Sequence, residues 1–192
     1  MAAATLVTFA DAASFQASLQ SGSHLESFDG LGFGDLETPT LSFSSGSFSF
    51  QATTGTGNLA GYTEAPLSKY LTTLDLTSLT IAFDGGAPTA VGGFLFGSTF
   101  EDEFLTSSFT VDLSDGTSFQ FDSDTLETTA YLGFLTDSTE PFEWLRISTA
   151  SNGAYVSLDN VVVGHAVIPE PSTYALGAGL LALGFALWRR RR

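Results

Sequence analysis

Phe109-Thr110-Val111-Asp112-Leu113, then Ser114-Asp115-Gly116-Thr117, then Ser118-Phe119-Gln120-Phe121 reads as strand, turn, strand. Apolar side chains fall at every second position on both sides, the period of a strand with one face buried and one wet. The Asp-Gly pair between them supplies the positive φ that a tight antiparallel hairpin needs. The same alternation runs through Ser47-Phe48-Ser49-Phe50-Gln51-Ala52, Leu79/Ile81/Phe83 and Val156/Leu158. Asp84-Gly85-Gly86 marks a second turn, residues 5–9 a first strand, and residues 89–96, 128–135, 142–149 and 155–163 the remaining strands. Asp11 is placed to cap a short helix over residues 12–19, where Phe15 and Leu19 stand four apart on one face. Glycines 55, 57 and 61 with Asn58 mark the most open loop region. About nine or ten strands with Gly-rich turns, and no repeat of fixed period, predict an all-β fold: an antiparallel two-sheet sandwich, jelly-roll-like.

Composition narrows what such a sandwich meets. The chain has 21 acidic residues, all ahead of Leu176, and only Lys69 and Arg146 are basic before Arg189. That surface repels nucleic acid and anionic lipid, which excludes nucleic-acid binding, and it favours cations. With no cysteine there are no disulfide staples, so the body must hold together by its core or by bound ions. At 43% hydrophobic residues, with 18 phenylalanines, residues 1–165 can build one core and form one domain.

The chain end is built differently. Ile168-Pro169-Glu170-Pro171-Ser172 is held extended by its prolines, an uncharged stretch follows from Thr173 to Trp188, and Arg189, Arg190, Arg191 and Arg192 close the chain. The uncharged stretch is apolar around its whole circumference and would span roughly 24 Å as a helix, short for a hydrocarbon core of about 30 Å but within reach of snorkelling arginines. The expectation is a linker over 166–172, a transmembrane helix over 173–188 and a cytoplasmic arginine tail over 189–192.

Pro169-Glu170-Pro171-Ser172-Thr173-Tyr174-Ala175-Leu176, the Gly/Leu/Ala run and the terminal arginines together resemble the PEP-CTERM sorting domain of exopolysaccharide-producing Gram-negative bacteria. The resemblance implies exosortase as a partner, cleavage near Pro169-Glu170-Pro171, transient anchoring in the inner membrane, and release to the cell surface or extracellular matrix. Export also calls for an N-terminal signal. Met1-Ala2-Ala3-Ala4 lacks a charged and apolar front, and Ala2-Ala3-Ala4 is similar to the small-residue tail of a signal peptide whose start lies upstream. Within the body, Phe28-Asp29-Gly30-Leu31, the segment from Tyr131 to Ser138, and Val156-Ser157-Leu158-Asp159-Asn160-Val161 resemble segments of small PEP-CTERM β-sandwich proteins, whose shape is similar to carbohydrate-binding and discoidin-like modules.

Catalytic patterns are sparse. His24 and His165 are the histidines, neither lies in a nucleophile motif, and both are expected at the surface. Glu101-Asp102-Glu103 and Asp122-Ser123-Asp124 with Glu127 read as solvated loops. Asp29 with Asp159 and Asn160 is the candidate oxygen set for a structural calcium if the terminal strands pair, as in related-looking carbohydrate-binding modules; the alternative is hydrogen bonding within turns. Trp144 alternates with Leu145 and Ile147, so if those two enter the core, Trp144 faces outward as a sugar-stacking candidate. The reading is a non-enzymatic, exported cell-surface or matrix protein, structural or adhesive in exopolysaccharide or biofilm. The alternatives are a carbohydrate-binding module with specific sugar affinity and a glycan-processing hydrolase.

Overall fold

A computed structural model describes residues 6–63, 69–101, 103–123, 130–136, 140–149 and 153–167. In chain order the elements are β1 (Leu6–Phe9), α1 (Ala12–Ala17), β2 (His24–Glu26), β3 (Gly34–Asp35), β4 (Thr40–Ser45), β5 (Phe48–Thr54), β6 (Leu59–Thr63) and β7 (Lys69–Thr73). There follow β8 (Ser78–Gly85), β9 (Ala90–Ser98), β10 (Phe104–Leu105), β11 (Ser107–Leu113), β12 (Ser118–Ser123), β13 (Tyr131–Thr136), β14 (Trp144–Thr149) and β15 (Tyr155–Gly164).

The strands form two antiparallel sheets. The larger, of nine strands, runs β1-β13-β9-β15-β7-β6-β3, with β10 on β9 and β2 on β15; the smaller, of six, runs β12-β11-β14-β8-β5-β4. The decisive hairpin forms between β11 and β12, where Phe109 pairs with Phe121 and Val111 with Phe119. Its turn closes with Gly116 N donating to Leu113 O at 3.0 Å and Leu113 N to Thr117 O at 2.8 Å, and Gly116 takes φ 86°. A three-residue loop with glycine in the left-handed region matches the twist of the flanking strands.

One main core fills the space between the sheets. The smaller sheet supplies Phe50, Ile81, Phe109, Val111, Leu145 and Ile147; the larger supplies Leu71, Val91, Leu95, Phe134, Val156 and Leu158. A gap of about 30 Å³ among these side chains has room for a water and nothing larger.

Two parts of the expected fold are corrected. The two-sheet sandwich forms, with 15 strands among the described residues where about nine or ten were expected. β2, β3, β4, β6, β7 and β10 have no counterpart among the expected strands; of these, β2, β3 and β10 are two or three residues long, too short to carry an alternation. The transmembrane helix expected at 173–188 is not upheld: no helix among the described residues is long and apolar enough to cross a membrane. A span needs about 20 residues, and α1 has 6. The expected inner-membrane anchoring therefore has no helix to rest on among the described residues, and residues 166–192 beyond Val167 lie outside them.

Candidate functional site

The outer face of the six-stranded sheet is built by the polar half of each alternation. Leu145 and Ile147 are buried, so Trp144 and Arg146 of the same strand point away from the core. Register then assembles a continuous row across all the strands of this sheet. Ser118 lies opposite Asp112, Asp112 opposite Arg146, Arg146 opposite Thr80, Thr80 opposite Thr53, and Thr53 opposite Thr40. A parallel row holds Trp144, Ala82, Gln51 and Ser42, and another holds Gln120, Thr110, Ser148 and Ser78. At about 4.8 Å between strands, a row extends roughly 24 Å from edge to edge.

Hydrogen bonds hold several of these side chains in place. Arg146 Nη2 donates to Asp112 Oδ2 at 3.0 Å, Gln120 Nε2 donates to Thr110 Oγ1 at 2.9 Å, and the hydroxyls of Thr40 and Thr53 lie 3.1 Å apart. The hydrogen bond from Arg146, joined by one from Ser118 and the Arg146 charge, holds the Asp112 carboxyl below its usual range. The pair is therefore ionised on both sides at neutral pH; Asp122, bonded by Ser108 Oγ, and Asp84, exposed at the end of β8 in step with Thr80 and Ala82, add negative charge to the face. A protein with 15 negative charges in excess thus presents here a wall of hydroxyls and amides. Around the half-buried Trp144 it can offer hydrogen bonds and an aromatic surface together.

β2 runs antiparallel to β15 with Glu26 opposite Val161, so Asp159 and Asn160 lie in a paired strand while Asp29 lies beyond the end of β2. The carboxylates of these calcium candidates face different tasks. Asp29 is exposed and accepts from Ser27 Oγ at 3.0 Å and Lys69 N at 3.2 Å. Asp159 is fully buried and accepts from Asn160 N and Asn160 Nδ2, both at 2.7 Å. Among the described residues no three His, Cys, Asp or Glu side chains converge as a metal-binding group, and the chain has no cysteine nucleophile. His24 departs from expectation: its side chain is only 10% exposed, with its ring 6.4 Å from that of Phe50.

A second concavity, of about 430 Å³, opens beside the β11–β12 turn and is lined by Ser114, Asp115, Glu140, Pro141 and Glu143 among others. The Arg146–Asp112 pair and the cross-strand rows were not singled out from sequence. The signal was present in the polar positions between Leu145 and Ile147 and between Val111 and Leu113, but only strand order brings them together. The sorting residues Pro169, Glu170, Pro171, Ser172 and Arg189 to Arg192 lie outside the described residues.

Residues 167–192 match the PEP-CTERM protein-sorting motif, a match confined to the chain end. No curated relative matches the chain. Among solved structures, the chain is similar to CsCBM6-3 from Clostridium stercorarium, determined in complex with cellobiose, at 13% identity over 71% of this chain and 100% of that one, with a TM-score of 0.34.

Proposed function

We propose that this chain is an exported, carbohydrate-associated protein, processed by an exosortase at Pro169-Glu170-Pro171, whose six-stranded sheet contacts polysaccharide through the face around Trp144 and Arg146. The match of residues 167–192 to the sorting motif carries the destination. The ligand class is supported by the face itself, where hydroxyls and amides stand in register around an aromatic. Sugars offer hydroxyls for such groups and apolar ring faces for a tryptophan. Specific affinity and a purely structural or adhesive role in a matrix differ in one respect: a soluble oligosaccharide competes with the first and leaves the second untouched.

The sorting half is tested by intact mass and fractionation in a host with exosortase and in the same host without it. The C-terminal segment should be lost only when the enzyme is present, and replacing Pro169, Glu170 and Pro171 with alanine should abolish that loss. Normal maturation of the triple variant would overturn the assignment. For the ligand half, Trp144→Ala should weaken retention on insoluble polysaccharide about three- to tenfold, the worth of one aromatic contact of about 0.5–1.5 kcal/mol. Unaltered retention would remove Trp144 from the site.

A further inference from the structure

We propose that the edge strand β4 is a self-association surface, pairing antiparallel across a two-fold axis with β4 of a second copy of this chain. An edge strand exposes unpaired N–H and C=O groups, and proteins normally blunt it with charge, proline, brevity or a cover. Among the described residues the other edge strands are protected in that way, β2 and β10 by being two or three residues long. β12 carries Asp122, β3 has two residues and includes Asp35, and β1 has four residues and runs at once into the Asp11-capped helix. β4 has six residues, and no charged residue occurs anywhere between Glu37 and Glu64.

The ladder shows which groups are free to pair. Thr54 N donates to Pro39 O at 3.0 Å, and β4 continues in register from Thr40 opposite Thr53 to Ser45 opposite Phe48. In an antiparallel ladder, residues alternate between bonding to the neighbour and pointing away from it. Leu41, Phe43 and Ser45 therefore bond to β5, while Thr40, Ser42 and Ser44 direct their backbone groups outward. Thr38 Oγ1 already engages both Thr40 N and Thr40 O, so among the described residues the open edge is Ser42 and Ser44.

That edge is self-complementary. Ser42 of one copy opposite Ser44 of the other, and the reverse, satisfies every outward group of both and brings the two Phe43 side chains side by side. Phe43 and Leu41 are only partly buried in the single chain, so the partner strand would complete their cover. Copies that repel each other through 15 excess negative charges can approach along β4 with no like charges in contact. The contact area is small, which places the association in the weak class. Pairing continues the six-stranded sheet into the second copy and extends its polar rows without a break. The inference does not depend on any ligand.

Sedimentation of the full chain over a wide concentration range tests it. A monomer–dimer equilibrium is expected, strengthened by added salt as charge repulsion is screened. Ser42→Lys should weaken association at least tenfold, and so should Ser44→Pro, which removes only an outward N–H and leaves the bonds to β5 intact. Thr63→Lys, the same charge change on an exposed residue of β6, should leave the equilibrium in place. Melting curves equal to that of the parent establish that each variant folds. A strictly monomeric chain at high concentration would overturn the proposal. So would a dimer that persists unchanged in both edge variants, since its contact would then lie elsewhere in the chain.

Discussion

Asp75 shows how much one side chain can organise in a loop that reads as open. Its Oδ2 accepts from Thr56 N at 2.6 Å, Thr56 Oγ1 at 2.7 Å and Thr54 Oγ1 at 2.9 Å, while Oδ1 accepts from Thr77 N at 3.2 Å. Burial pushes the carboxyl up, but the hydrogen bonds from Thr56, Thr77 and Thr54 outweigh it and hold the group below its usual range. A folded-state value depressed in this way gives stability that is present above the unfolded carboxylate pKa and is lost as pH falls through the folded one. Asp75→Asn should therefore destabilise the protein at neutral pH by about 1 kcal/mol, modest because the loop is largely solvated. The difference between the two melting points should shrink towards zero as the medium becomes strongly acid, and a constant difference would separate the effect from ionisation. Nothing in the glycine-rich composition of residues 55–61 announces this anchor, since Asp75 reaches it from beyond β7. Asn160 is the converse case. Sequence places Asp159-Asn160 within the last strand, and there Asn160 takes φ 51° at a register shift between Asp159 and Val162. The bulge switches the parity of the strand, so that Val156 and Leu158 before it and Val161 and Val163 after it all enter the core.

The element that best separates what pattern shows from what packing decides is α1. Asp11 caps it as its sequence predicts, accepting from Ala13 N at 3.1 Å and Ser14 N at 3.0 Å. Six residues cannot hold a helix by themselves; the helix persists because Phe15, fully buried, sits in a dent on the outer side of the larger sheet. Glycines make the dent: a Cβ at Gly133 would come within 2.7 Å of the Phe15 ring, and one at Gly92 within 2.5 Å of the Tyr131 hydroxyl. Phe15→Ala should cost about 3–5 kcal/mol in denaturant melts. Gly133→Ala should also destabilise, and much less so in the Phe15→Ala background, because the clash disappears with the ring. Strictly additive losses would show that the two residues do not share the site. This covering also explains why the larger sheet is harder to read. β9 and β15 are buried on both faces, so the alternation that identifies β5 and β11 is replaced by glycines and near-continuous apolar runs.

At the scale of the molecule, charge and surface divide the work. The acidic excess repels anionic polymers, and on the six-stranded face Asp122 and Asp84 add to it beside the matched Asp112–Arg146 pair. Retention on a neutral polysaccharide should therefore exceed retention on an anionic one, and the preference should narrow with added salt. By itself the sequence determined the two-sheet antiparallel class, the β11–β12 hairpin, the capped helix and the sorting motif at the chain end. Each of these is local, a matter of side-chain period, turn chemistry or a contiguous string. Tertiary structure alone decided that Ser118, Asp112, Arg146, Thr80, Thr53 and Thr40 stand in one row, that Phe15 needs two glycines beneath it, and that β4 rather than β12 is the bare edge. Those outcomes depend on strand order and register, which join residues far apart in the chain and leave no mark on any single segment of it.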